Sequence, residues 1–191
     1  MARREFFGIP AASKADAFSI AAANSMLREM KQFLDNGHDV NAMAAYCGGT
    51  ALSTAAGYGL IRSVEFLIGA GADLNATDKN DLTPLMSACS RGKTKGSRVA
   101  MRLMQAGADV KYVRASDEMT ALKFAVKSCP AEVIQALIDH GAEVDGPRGT
   151  DQTALMLAAR SNNVAALKVL VNNGADISLH CKLKWAGGRT A

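Results

Sequence analysis

The chain repeats itself. Thr50-Ala51-Leu52-Ser53-Thr54-Ala55-Ala56 returns as Thr83-Pro84-Leu85-Met86-Ser87-Ala88-Cys89. It returns again as Thr120-Ala121-Leu122-Lys123-Phe124-Ala125-Val126 and as Thr153-Ala154-Leu155-Met156-Leu157-Ala158-Ala159. The threonines stand 33, 37 and 33 residues apart. A fixed period in this range means stacked supersecondary units, none of which buries its apolar face alone. That constraint outranks any local reading of helix or strand.

A second landmark keeps the same time. Gly71-Ala72-Asp73, Gly107-Ala108-Asp109, Gly141-Ala142-Glu143 and Gly174-Ala175-Asp176 close the units. In three units Gly follows Thr by 21 residues, whereas the Thr83 unit has 24, so that unit carries a three-residue insertion. Together the two landmarks resemble the ankyrin repeat, with its Thr-Pro-Leu-His-x-Ala opening, second helix and Gly-Ala-Asp close. The family's His is missing: Ser53, Met86, Lys123 and Met156 occupy its place. The resemblance implies an all-α ankyrin-repeat solenoid of five repeats plus the start of a sixth.

Composition narrows the function. Lys and Arg total 22 against 18 acids, a net charge of +4, which is far from the dense basic footprint of a dedicated nucleic-acid binder. Aromatics are only 5% of residues, which suits thin helices in close contact. No apolar run approaches the roughly 18 residues that span a bilayer, and Ala2-Arg3-Arg4-Glu5 opens no recognisable signal peptide. Cys47, Cys89, Cys129 and Cys181 are scattered without C-x-x-C pairing, so free thiols and a cytoplasmic setting are expected. An exported protein with its signal removed is the alternative.

The expected organisation is a lead-in (1–15), an N-terminal capping repeat (16–44), repeats at 45–77, 78–114, 115–148 and 149–178, and a truncated sixth (179–191). Asp16, 21 before Gly37, is the expected cap of the first helix. Pro84 suits a first helical turn. The insertion is expected as a basic loop, Arg91 to Arg98, between two helices. Thr190, 37 after Thr153, would open the sixth repeat.

Little here asks for catalysis. Gly92-Lys93-Thr94 suggests a phosphate loop, but that motif needs Gly where Ser87 stands, and a strand rather than a helix before it. His38, His140 and His180 have no metal spacing. Asp39, Asp73, Asp109, Glu143 and Asp176 recur once per repeat in one slot, as turn hydrogen-bond acceptors do. No catalytic residue, metal or cofactor is expected.

The resemblance implies a partner protein held on the concave face and turn tips. In family register the contact positions take in Tyr46, Tyr58, Lys79, Asn80, Arg91, Asp117, Lys127, Gln152 and Arg160. Tyr112, Arg114 and Arg148 lie in adjoining turns, and Trp185 in the last one. Tyr, Trp and Arg carry most interface energy, and the clustered cations predict an acidic patch on the partner, in a 1:1 complex. An inhibitor or immunity-type protein covering an enzyme is one form of this. Two alternatives stay open. One is a nucleic-acid or phosphate-ligand binder using Arg91, Lys93, Lys95, Arg98, Lys182, Lys184 and Arg189. The other is a regulatory segment of a longer enzyme.

Overall fold

Four threonines start four helices in the same way. In the computed structural model, which describes residues 13–146 and 152–179, Thr50, Thr83, Thr120 and Thr153 are extended N-caps. Each side-chain oxygen accepts the backbone N–H three residues on, at 3.2–3.3 Å. A cap of this kind contributes about 1 kcal/mol, because it satisfies an N–H that the helix itself cannot reach. The capped helices are α3 (Ala51–Tyr58), α5 (Pro84–Arg91), α7 (Ala121–Ala125) and α9 (Ala154–Arg160). In each the second residue is a buried leucine: Leu52, Leu85, Leu122 and Leu155. Burying such a side chain contributes about 1.5–3 kcal/mol.

Each capped helix is followed by an outer one: α4 (Ile61–Gly69), α6 (Lys93–Gln105), α8 (Ala131–Asp139) and α10 (Val164–Asn172). Their buried stripes fall at helical spacing, as Val64 with Leu67 and Val133 with Leu137 show. Gly71, Gly107, Gly141 and Gly174 then turn the chain with φ of 80–94°, a conformation L-residues rarely adopt. The capped helices stack on one another in one row and the outer helices in a second. One core runs through both. Among the described residues there are ten helices, no β-strand and no helix long and apolar enough to cross a membrane.

The turns are stitched from repeat to repeat. The Asn41 side chain accepts the Asp73 N–H at 2.8 Å, and Asn75 accepts that of Asp109 at 2.8 Å. Asp145 does the same for Asp176 at 3.1 Å. Within four of the five turns the recurring carboxylate accepts the N–H two residues on, at Asp39, Asp73, Asp109 and Asp176. The acidic row is turn architecture there.

Two expectations are corrected. Asp16 does not cap the first helix, and the lead-in ends before Ala15. Ser13 is the cap of α1 (Lys14–Ala23), which is followed by α2 (Leu27–Asp35). Asp16 lies buried in the first turn of α1, accepting the Ser13 hydroxyl at 2.8 Å and the Tyr46 N–H at 2.8 Å. Counting 21 residues back from Gly37 missed this because Ser13 lies 24 before it. The basic loop is the second correction. Only Gly92 separates α5 from α6, and residues 93–98 form the opening turns of a 13-residue helix. Gly92 can make that corner at φ 56°, ψ −160°. Gly96 lets the added turn lie against α5, since a Cβ there would meet the Ala88 carbonyl at 2.4 Å. The first-repeat and third-repeat spacings are thus both 24, but one lengthens the first helix and the other the second.

Candidate functional site

The candidate contact face is assembled from the capped helices and the turns that precede them. In the second repeat Tyr46 sits in a turn closed by the Ala44–Gly49 bridge, its own N–H held by Asp16. Tyr58 ends α3. They are 65% and 55% exposed, and among the described residues no hydrogen bond or ring contact ties either side chain. Between Tyr58 and the third repeat lies a hollow of about 260 Å³, lined by Cys47, Ser53, Thr54, Asp78 and Ser87. Its wall is set by local bonding. Thr54 donates to the Cys47 sulfur at 3.2 Å, and one Asp78 carboxylate oxygen accepts the N–H of Asn80 (2.8 Å) and Leu82 (3.0 Å). Lys79 and Asn80 are exposed at the rim. The Lys79 N–H reaches the Gly48 carbonyl at 2.6 Å, and its stem lies where a Cβ on Gly48 would fall. The cation therefore leaves the surface on an anchored stem.

Further along, the polar residues bond to each other. Tyr112 donates its hydroxyl to Asp81, whose other oxygen accepts the Ala115 N–H at 3.0 Å. The Tyr112 bond is the main reason the Asp81 carboxyl is held below the usual carboxylate range and the phenol above its own. Arg114 is paired with Asp117 by two nitrogens, the Nε bond being 2.7 Å. That pair raises the Arg114 pKa and lowers the Asp117 one. The Arg114 guanidinium and the Lys127 ammonium each lie 5.6 Å from the Phe124 ring centre. Such stacking contributes about 0.5–1 kcal/mol at an exposed site.

Of the residues expected at the face, Tyr46, Tyr58, Lys79, Asn80, Arg91, Asp117, Lys127 and Arg160 are exposed. Gln152, Tyr112 and Arg114 are half-buried. Arg160 donates to Gln152 at 3.0 Å. Arg148 and Trp185 lie outside the described residues, as do Lys182, Lys184, Arg189, Cys181 and the sixth-repeat segment from His180 on.

Sequence reasoning did not single out Met43, which is 53% exposed close to Tyr46. An apolar residue in a polar turn is the signal that could have found it. Nor did it assign Lys123 a role. This lysine is 2% exposed and gives its ammonium to the Glu118 carbonyl at 3.1 Å. It also lies beside Gly146, so its long stem links one turn to the next from the place of the family's His. Asp16 makes an equivalent link in the first unit. Among the described residues, no three His, Cys, Asp or Glu are grouped to hold a metal.

Comparison with known proteins agrees with this geometry. The model of ankyrin repeats in three copies matches residues 18–110 and again 94–181. The chain is 32% identical over 161 residues to the ankyrin repeat and KH domain-containing protein mask-1 of Caenorhabditis elegans, covering 83% of this chain and 6% of that one. Protein phosphatase 1 regulatory subunit 12A of Mus musculus is 40% identical over 74 residues, 39% of this chain and 7% of that one. Neurogenic locus notch homolog protein 1 of Homo sapiens is 30% identical over 147 residues, 77% and 6% respectively. The chain spans less than a tenth of the length of these three relatives. Capped helix pairs, stitched turns and this match lead to one statement: the chain belongs to the ankyrin-repeat family, whose repeats are protein–protein interaction modules.

Proposed function

We propose that this chain binds one protein partner, without catalysis, through the concave face and turn tips around the second and third repeats. The observation that carries the reading is the pair Tyr46 and Tyr58. Two large aromatic side chains stand mostly in solvent, untied among the described residues, and Tyr58 lines a hollow that a partner side chain can enter. Large amphipathic anchors of this kind dominate interface energies. A stitched stack holds them in place beforehand, so docking loses little conformational entropy. Lys79, Arg91 and Lys127 add positive charge and favour an acidic surface on the partner. A cover over a partner enzyme, of the inhibitor or immunity type, is the specific form this takes when the acidic patch borders an active site.

The test is recovery of a partner by cross-linking pull-down, followed by affinity measurement with the wild type and a Tyr46→Ala/Tyr58→Ala variant. Loss of about 100-fold is expected from removing two such anchors. Equal affinity for both proteins rejects the face.

One observation favours a second reading. α6 carries Lys93, Lys95, Arg98 and Arg102 and no acidic residue. A nucleic-acid or phosphate ligand on this helix would lose affinity steeply as salt rises, whereas the tyrosine-anchored complex would lose little. The third reading, a regulatory segment of a longer protein, is supported by the length of the relatives.

A further inference from the structure

Four cysteines are spread along the sequence, yet stacking brings two of them together. Cys89 lies near the end of α5, and Cys129 directly precedes Pro130, the cap residue of α8. They are 40 residues apart, and the Cys129 thiol donates to the Cys89 carbonyl at 3.5 Å. That contact crosses the junction of the third and fourth repeats. Contact with Cys129, together with burial, pushes the Cys89 thiol well above its ordinary pKa. The same contact lowers that of Cys129, with the Ser97 hydroxyl adding to it. Both residues are buried, Cys89 fully and Cys129 to 3% exposure in a segment whose Lys127, Ser128 and Pro130 are exposed. The junction is held tightly, because a Cβ on Gly92 would fall 2.0 Å from the Ser128 hydroxyl. Cys47 has no such neighbour among the described residues and bonds instead to Thr54 and Gly49.

We propose that Cys89 and Cys129 form a peroxide-oxidisable pair that closes a disulfide between the third and fourth repeats. A disulfide needs Cα atoms roughly 4.4–6.8 Å apart and a fixed torsion about the S–S bond. The Cys129 sulfur already lies against the backbone of the residue it would bond. Closure then asks for side-chain rotation rather than separation of the repeats. The chemistry divides the roles. The Cys129 thiolate, the more accessible and more easily ionised of the two, attacks the peroxide O–O bond, forming a sulfenic acid and releasing hydroxide. The Cys89 thiol loses its proton to that hydroxide, its sulfur attacks the sulfenyl sulfur, and a second hydroxide leaves. It takes up the proton that ionised Cys129, so two thiols and one peroxide give one disulfide and two waters. The link would tie the ends of the two capped helices, each sulfur-bearing residue two positions from Arg91 or Lys127. The inference is independent of the partner-binding reading.

The test uses the full chain, first reduced, then exposed to hydrogen peroxide, quenched, unfolded, alkylated and mapped by mass spectrometry. The expected result is a species lighter by two hydrogens, with the Cys89 and Cys129 peptides joined, reversed by dithiothreitol. Closing a loop of this size should raise the Tm by about 5–10 °C. Cys47→Ser should keep the linkage and Cys129→Ala should abolish it, with circular dichroism confirming that each variant is folded. Alkylation of both Cys89 and Cys129 in peroxide-treated wild type overturns the proposal. So does linkage of either one to Cys47 or Cys181 in its place. The wild-type map decides the matter even where a variant fails to fold.

Discussion

Around Tyr46 and Tyr58 the protein leaves its aromatic side chains bare; around Tyr112 it ties them down. Tyr58 is 55% exposed with no side-chain bond among the described residues, while Tyr112 is half-buried and gives its hydroxyl to Asp81. The charged residues follow the same division. Lys79 and Arg91 have no carboxylate partner among the described residues, whereas Arg114 is fully engaged by Asp117. Residue type places a side chain at a surface but does not leave it available. One region keeps its groups for an outside surface. The other uses them to order a turn containing Glu118, a non-glycine residue at positive φ.

The largest effect is expected from Tyr46→Ala/Tyr58→Ala, with about 100-fold loss of partner affinity and an unchanged urea midpoint. An equal loss from Tyr112→Phe, which keeps the ring and removes only the bonded hydroxyl, would erase the distinction. The middle effect is on stability. Tyr112→Phe should destabilise the fold by at most about 1 kcal/mol, the net worth of one partly solvated hydrogen bond. It should also speed amide exchange over residues 112–119. Tyr58→Phe should change neither.

The smallest effect is in pH. Burial between Phe18 and Phe33 lowers the His38 pKa from 6.5, outweighing the opposing influence of Asp39. A folded value below the unfolded one means that the stabilisation is whole above about pH 6.5 and fades as pH falls through the folded value. The Asp81 and Asp117 values are lowered too, so their contribution is intact at neutral pH and fades only below the usual carboxylate range of about 4. Acidification monitored by hydrogen exchange should therefore loosen the first repeat before the Tyr112 turn. The reverse order would contradict this account.

Much of this arrangement was legible beforehand. Thr and Gly at a shared period announced where helices begin and end, because capping and left-handed turns are local requirements of one or two residues. Four of the five positions in the acidic row, all but Glu143, read correctly for the same reason. Local reasoning failed where two routes satisfied one spacing. Three added residues can lengthen either helix, and the choice at Gly96 depended on its close approach to Ala88. Asp16 looked like a cap because its side chain suits one, yet its carboxylate is held by Ser13 and Tyr46. Tyr112 and Arg114 looked free because Asp81 lies 31 residues before Tyr112 and Asp117 could equally have faced solvent.

The repeat, its period and its family could be read from the chain alone, since these rest on short-range geometry copied at regular intervals; the start of the first helix, at Ser13 rather than Asp16, could not. Only the tertiary structure decided which polar groups remain for a partner and which two cysteines meet. Those depend on contacts between neighbouring repeats, some 30 to 40 residues apart, and no local rule of helix or turn fixes which side chains will face each other there.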